Sequence, residues 1–376
     1  MLTDEQIMIR DMARGFAAER LAPTAAEREK AGRIEPELIG EMAELGFLGM
    51  TISTDWGGAG AGYVAYSLAL MEIAAGDGSV STLVSVHNAP TCLVLERFGT
   101  DEQRERWLRP LCEGKVGSFA LTEAQAGSDA AALKTKAVRT NAGWRVNGSK
   151  QFITNASVGD TTVLFAVTDP EKGKKGISCF VTANDAPGFE VVRVEHKLGQ
   201  KASDSCALAF SDLEIEQGQL IGEEGAGYKI ALSTLEAGRI GIAAQATGLA
   251  QAAYEKALAY ARERQAFGGS IFDLQAVQFR LAEMATDLEA ARQMTLHAAT
   301  LKDAGQPCLK EAAMAKLFAA QAAERVSSEA IQVLGGYGYL ADYEVERIYR
   351  DQKVCQIYEG TNDIQKLIIA RQIKAA

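Results

Sequence analysis

The chain has 376 residues, with 39 lysines and arginines against 49 acids and a formal net charge of −10. That length allows two or three compact units with sizeable cores, and acids and bases mixed along the chain exclude nucleic acid as a main partner. Three distant histidines (His87, His196, His297) without an HExxH motif argue against a metal centre, the six cysteines without a CxxC pair read as buried thiols of a reducing, cytoplasmic compartment, and no apolar run approaches membrane length.

The opening MLTDEQIMIRDMARGF reads as the start of an amphipathic helix rather than a targeting peptide. From Thr3 to about Leu111 apolar residues fall at helical spacing. Ile7, Met8 and Met12 share one stripe; Leu38, Met42, Leu45 and Leu48 share another. Thr3-Asp4-Glu5-Gln6 predicts a capping box, Pro36 suits the first turn of a later helix, and Thr100-Asp101-Glu102-Gln103 starts a third. Residues 57–65, GGAGAGYVA, imitate a dinucleotide fingerprint. The preceding TISTDW is too short and polar for a core strand, so the stretch reads as a flexible loop entering a helix.

From about Val116 to Gly222 the periodicity changes. TVLFAVT (162–168), ISCFVTA (177–183), FEVVRV (189–194) and CALAFSDLEI (206–215) are rich in β-branched and aromatic residues and are separated by Gly, Pro, Asn and Asp turns. They predict a small antiparallel sheet or barrel. From Gly227 helix returns over 228–265, 273–304 and 308–334, with Gly335-Gly336 as a stop, which suggests an antiparallel bundle. The fold class is α+β in three units, helical, β and helical. The succession excludes a doubly wound fold, in which strands and helices alternate.

Four segments could carry chemistry. GSFALTEAQAGSDAAALKTKA (117–137) crowds small and hydroxyl residues at a strand end, where backbone N–H groups can approach an anion or a ring carbonyl; the alternative is a β-turn. SKQFITNAS (149–157) sets an aromatic and a β-branched residue before Thr154, as a flat-ring site would, or as an ordinary strand end would. LEAGRIGIAAQATGLAQAA (235–253) is a helix with small residues at Gly238, Gly241, Ala244 and Gly248; it embeds Arg239, whose nearby partner would be Glu236. AIQVLGGYGYLADYEVERIYRD (330–351) holds the double glycine and leads into CQIYEGTNDIQ (355–365). There Glu359 follows the apolar Ile357 and Tyr358. An apolar wall would raise its pKa and make it a base; on those residues alone, a solvated acid beside a helix N-cap is the simpler reading.

Together these motifs resemble the acyl-CoA dehydrogenase family. FALTEAQAGSD, QFIT, GRIGIAAQATGLAQ, the RxxF of RQAF (264–267), QVLGG (332–336) and IYEGT occur in the family's order and at family-like separations along essentially the whole chain. The resemblance implies an N-terminal helical domain (1–115), a central β domain (116–225) and a C-terminal four-helix bundle (226–376). It also implies an FAD cofactor, an acyl-CoA substrate, electron-transfer flavoprotein as acceptor and a homotetramer, with no membrane insertion. The expected reaction removes a proton from Cα by a carboxylate while hydride leaves Cβ for flavin N5, as in fatty acid β-oxidation or branched-chain amino acid degradation.

Carried over motif by motif, Glu359 matches the base, and its backbone N–H is expected to hold the thioester oxygen. Some relatives place the base on the helix around GR, but the matching position here is Gly238. Phe119, Leu121, Thr122, Gly127 and Ser128 are expected to line the flavin, with Ser128 also near the CoA chain. Phe152, Ile153 and Thr154 are expected to flank the ring, Thr154 donating to N5; the family often has tryptophan where Phe152 stands. Arg264, Phe267, Gln275 and Gln332, Val333, Leu334, Gly335 and Gly336 match residues on the FAD pyrophosphate and adenosine, partly across a subunit interface. Thr361, Asn362 and Asp363 follow the base on the same FAD. Tyr228, Glu236 and Arg239 match substrate contacts, and Lys174 of EKGKKG could meet a CoA phosphate.

The motifs most resemble the short straight-chain and short branched-chain subfamilies, which implies a substrate such as butyryl- or 2-methylbutyryl-CoA. An oxidase using oxygen and a non-catalytic acyl-CoA-binding module remain as alternatives. A decarboxylating glutaryl-CoA role is disfavoured because AAGDGSVS (74–81) lacks the arginine of those relatives.

Overall fold

The computed structural model describes residues 2–375. The first unit holds α1 (Asp4–Phe16), α2 (Ala25–Ala31), α3 (Pro36–Glu44), α4 (Gly62–Gly76), α5 (Gly78–Val86), α6 (Leu93–Phe98), and the short α7 (Asp101–Gln103) and α8 (Arg109–Cys112). The capping boxes at Thr3 and Thr100 form as expected, and Pro36 occupies the first turn of α3. The glycine-rich stretch runs as loop into α4, whose first N–H groups, at Tyr63 and Val64, donate to the Asp303 carboxylate. Chain direction bends at residues 87–92, where Ala89 leaves helical geometry ahead of Pro90, which lacks the N–H a helix needs.

Eight strands follow: β1 (Gly117–Ala120), β2 (Lys136–Arg139), β3 (Gly143–Ile153), β4 (Thr161–Val167), β5 (Ile177–Ala183), β6 (Phe189–Val194), β7 (Cys206–Glu216) and β8 (Leu220–Ile221). Their order is β6-β7-β3-β2-β4-β5-β8, with β1 also paired to β4. The expectation of a wholly antiparallel sheet is corrected here, because β1 and β2 each run parallel to β4. Strand direction depends on which distant segments pair, and nothing in the local pattern of β1 encodes that. β4 and β5 are buried along both faces, which is why TVLFAV reads as a continuous apolar run rather than an alternation.

The last unit contains α9 (Gly227–Glu263), the small hairpin β9 (Gln265–Ala266) and β10 (Gly269–Ser270), α10 (Gln275–Asp303), α11 (Leu309–Leu334), α12 (Val345–Gln352) and α13 (Asn362–Ala375). α9, α10 and α11 pack on one another and α13 packs on α11.

The first and last units share a core. One apolar cluster joins Phe16, Met42, Leu70 and Ile73 to Ile240, Leu249, Leu288 and Val326. α4 is buried on nearly all sides, as a helix apolar all round must be, and lies against α9. The approach is close: a Cβ at Gly248 would stand 2.1 Å from the Met71 carbonyl oxygen. A second cluster (Leu95, Trp107, Leu111 with Val163, Phe165, Val181) seals the first unit to one face of the sheet. A third (Trp144, Val146, Phe180, Leu208, Phe210) fills the other face. Among the described residues no helix is long and apolar enough to cross a membrane.

Candidate functional site

Glu359 lies between α12 and α13 in a left-handed turn. Its φ is +54°, and Gly360 follows at +86°. That geometry is unfavourable for a side chain-bearing residue and persists where surrounding structure enforces it. Gln365 of α13 supplies part of the enforcement by donating to the carbonyls of Glu359 (3.2 Å) and Gly360 (2.8 Å). Lys316 of α11 donates to the same Gly360 carbonyl at 2.9 Å. Thr361 is the helix cap, its hydroxyl accepting from the Ile364 N–H.

The Glu359 carboxyl is therefore no solvated cap. Its Oε2 is buried without a hydrogen-bond partner among the described residues. Burial pushes its pKa up to about 7, against the opposing charges of Arg239 and Lys316. Gly238 of α9 makes the room, since a Cβ there would lie 2.7 Å from Oε2. The position that could have carried a competing base is instead the wall against which this one rests.

Arg239 is buried, with Nε and one terminal nitrogen unpartnered among the described residues. The expected pairing with Glu236 does not form, because Glu236 accepts from Lys302 at 2.7 Å and from the Cys308 thiol. One turn beyond on α9, Gly241 faces the Tyr66 hydroxyl and Ser85. Beneath the turn runs a buried polar network. The Tyr358 hydroxyl donates to Gln245 Oε1, Gln245 Nε2 donates to Ser81 (2.7 Å) and Thr82 (2.6 Å), and Thr82 donates to Gln200. Sequence reading missed Gln245, Gln200 and Thr82.

The β-unit residues meet this locus from the other side. β1 runs into Leu121 and Thr122, and the Gln151 N–H donates to the Thr122 carbonyl, so FALT and QFIT lie side by side. Asn155, next to Thr154, donates to the Leu83 carbonyl, one residue from Thr82 of the Tyr358 network. Leu121 and Ile153 are buried and can present backbone to a ligand; Thr122, Gly127, Ser128 and Thr154 are accessible, and the hydroxyls of Thr122, Ser128 and Thr154 are free of partners among the described residues. Phe152 is held at φ +59° and is 62% exposed, in a bulge between Lys150 and Ile153. Phe119 packs on Phe165 with ring centroids 4.9 Å apart. Accessible hydroxyls, small residues and an exposed ring in strained backbone suit a flat, hydrogen-bonding heterocycle.

Below this shelf Lys150 and Glu123 form a fully buried pair at 2.8 Å. Lys150 also donates to the Leu121 carbonyl, and Glu123 accepts from the Lys134 and Thr135 N–H groups. At the start of α9, Lys174 stands 5.2 Å over the Tyr228 ring.

The remaining predicted cofactor residues sit elsewhere. Arg264, Val333, Leu334, Gly335 and Gly336 line an open cavity of about 390 Å³ with Tyr260 and Tyr337. Phe267 projects nearby in sequence, 93% exposed, Gln275 opens α10, and Gln332 is exposed at the end of α11. A guanidinium beside a double glycine fits a pyrophosphate. Yet the stretch of α9 from Arg239 to Glu263 is about 36 Å long at 1.5 Å per residue, so this cavity is remote from Glu359 of the same chain. Asn362 and Asp363 are partly spent on the protein itself: Asn362 Oδ1 accepts from Lys316 at 3.2 Å, and Asp363 pairs with Lys366 at the surface. No cluster that could hold a metal ion occurs among the described residues.

Three family models match the chain: Acyl-CoA dehydrogenase, N-terminal domain, over residues 3–115; its middle domain over 118–213; and its C-terminal domain over 225–374. The short-chain specific acyl-CoA dehydrogenase of Clostridium acetobutylicum is 43% identical over 99% of this chain and 98% of its own. Butyryl-CoA dehydrogenase from Megasphaera elsdenii superposes with a TM-score of 0.97 at 40% identity, covering 100% of this chain and 99% of that one. A chain in the structure of the electron transferring flavoprotein of Acidaminococcus fermentans superposes with a TM-score of 0.98 at 44% identity, over 99% and 98%.

Proposed function

The chain belongs to the acyl-CoA dehydrogenase family of FAD-dependent oxidoreductases, and from that premise we propose that it oxidises a short acyl-CoA to the 2-enoyl-CoA with Glu359 as the base. The observation that carries the assignment is the buried, unpartnered Oε2 of Glu359 against Gly238. A short straight chain such as butyryl is favoured over a branched one by the likeness to the short-chain and butyryl-CoA enzymes.

Bound FAD supplies the acceptor for the hydride that leaves Cβ. The protein's part is binding, orientation and proton removal. Phe119, Leu121, Thr122, Gly127, Ser128, Phe152, Ile153 and Thr154 would hold the ring system on the β-unit shelf. Arg264, Phe267, Gln275 and residues 332–336 would hold the pyrophosphate and adenosine of the cofactor in a neighbouring copy, since the length of α9 places them beyond the reach of their own, and Thr361, Asn362 and Asp363 would border the near cofactor. That division supports an assembly of two or more copies, as in the homotetramer that the resemblance implies. Lys174 and Tyr228 would receive the CoA end. From Tyr228 to Arg239 is about 16 Å along α9, the reach of a pantetheine arm. Glu236, Arg239 and Ser128 would line the way.

Glu359 then takes the α-proton. Its N–H has no acceptor among the described residues and, in the left-handed turn, is free to bind the thioester oxygen as enolate charge develops. Electrons would leave to an electron-transfer flavoprotein, a partner supported by the similar chain found in such a structure.

The test is anaerobic mixing of the FAD-loaded protein with butyryl-, 2-methylbutyryl-, isobutyryl-, isovaleryl- and octanoyl-CoA. Rapid loss of flavin absorbance with butyryl-CoA is expected. Peroxide release in air would favour an oxidase, and protein that takes up no FAD would favour a binding module. The carboxylate form reacts, so with a pKa near 7 the second-order rate of bleaching should rise about tenfold per unit at low pH and level off above about 7.

A further inference from the structure

Two lysines are fully buried in the described chain, and they are buried differently. Lys150 has Glu123 as a counter-charge. Lys316, in the middle of α11, makes no salt bridge among the described residues; its ammonium donates to two neutral acceptors, the Gly360 carbonyl and Asn362 Oδ1. A buried cation without a paired anion is costly. The acceptors it has chosen flank the Glu359 turn. We propose that Lys316 is the positioning residue of the base: by tying the Gly360 carbonyl it holds the left-handed Glu359–Gly360 turn, and its charge favours the ionised Glu359 carboxylate.

This rests on the reading of Glu359 as base. The charged and titratable groups that bear on the carboxylate are Arg239 from α9, Lys316 from α11 and the Tyr66 hydroxyl from α4; Cys355, on its own segment, bears on Lys316, and Tyr358 and Asp351 of α12 bear on Cys355 behind it. Two cations thus oppose the effect of burial. Removing one must shift Glu359 towards its protonated form. The Lys316 ammonium is itself destabilised, burial pulling it down to about 8 although Cys355 and Glu359 hold it up. The two charges make no direct contact, and each favours the charged form of the other through space in a dry site.

Lys316→Met and Lys316→Gln separate the two roles, since glutamine keeps a donor and loses the charge. The first readout is the protonated-carboxyl infrared band of Glu359 in FAD-loaded protein without substrate, assigned by its absence in Glu359→Gln. Its titration midpoint should rise by about one unit in both variants. The second is anaerobic flavin reduction by butyryl-CoA: the methionine variant should lose about tenfold at its plateau pH, and the glutamine variant should recover part of that. Unmoved midpoints in both variants overturn the proposal, even if the rate falls, because lost rate alone is a packing effect. If the methionine variant fails to fold, the glutamine variant decides the midpoint. Wild-type protein that is not bleached by any acyl-CoA refutes the dehydrogenase reading separately, since the infrared titration needs no turnover.

Discussion

Glu359→Gln protein should fold, bind FAD and take up acyl-CoA, yet reduce its flavin about a thousandfold more slowly than wild type. Glutamine matches glutamate in shape, so the Gln365 and Lys316 bonds to the backbone of the turn persist, and the space left by Gly238 still fits. What is lost is a lone pair basic enough to take a carbon-bound proton. An amide oxygen buried at the same place has no such capacity at any pH of interest. Anaerobic stopped-flow absorbance measures the rate, and the unchanged flavin spectrum before mixing controls for folding. Turnover within tenfold of wild type would mean that another group is the base and that the orphaned oxygen next to Gly238 has a different purpose.

The second large effect is structural. Lys150→Met should destabilise the protein by about 3–5 kcal/mol, because it leaves the Glu123 carboxylate buried without its counter-charge. Burial alone would raise the Glu123 pKa; Lys150 and the N–H groups of Lys134 and Thr135 outweigh it and hold the acid ionised. The same variant frees the Leu121 carbonyl, so loosened FAD retention should accompany the lost stability. Denaturant unfolding of the FAD-loaded protein reads the first effect and dialysis against buffer the second. The double variant Lys150→Met with Glu123→Gln should regain part of the loss, since no bare charge then remains inside. A single variant as stable as wild type would show that water reaches the pair.

Both outcomes turn on residues that differ in how visibly the chain announces them. Helices with capping boxes and apolar stripes were legible because helix formation is a local matter: the Thr3 and Thr100 caps, Pro36 and the glycine stop after α11 all form from neighbours in sequence. The parallel pairing of β1 with β4 was not, because no local feature of GSFA states its partner. Nor was the core shared by the first and last units, although the unbroken apolar run of α4 signals a helix buried on every side. At the site, Glu359 stood out by its motif, whereas its confinement did not. Lys316 hides in AAMAKLFAA (312–320), where a cation in an alanine-rich run is the faint sign of an inward-facing charge. Lys150 hides in phase, being on the inward side of β3 with Trp144 and Val146. Gln245 and Gln365 carry no sign at all, since a glutamine on a helix reads as a surface residue until its partners are known. An embedded Arg239 needs a partner, and nearby Glu236 was the one expected; Lys302 of α10 takes that acid instead, a competition only the tertiary structure decides.

The six cysteines have a use that their scatter conceals. Each is buried and free, and burial raises the pKa of every one. In the closed state they are poor nucleophiles shielded from reagent. Two lie in the first unit (Cys92, Cys112), two in the sheet (Cys179, Cys206) and two in the last unit (Cys308, Cys355), with at least one in every apolar cluster. Modification of a given thiol therefore waits for the layer around it to open, and the six labelling rates, read peptide by peptide, form a native map of local unfolding that requires no introduced probe.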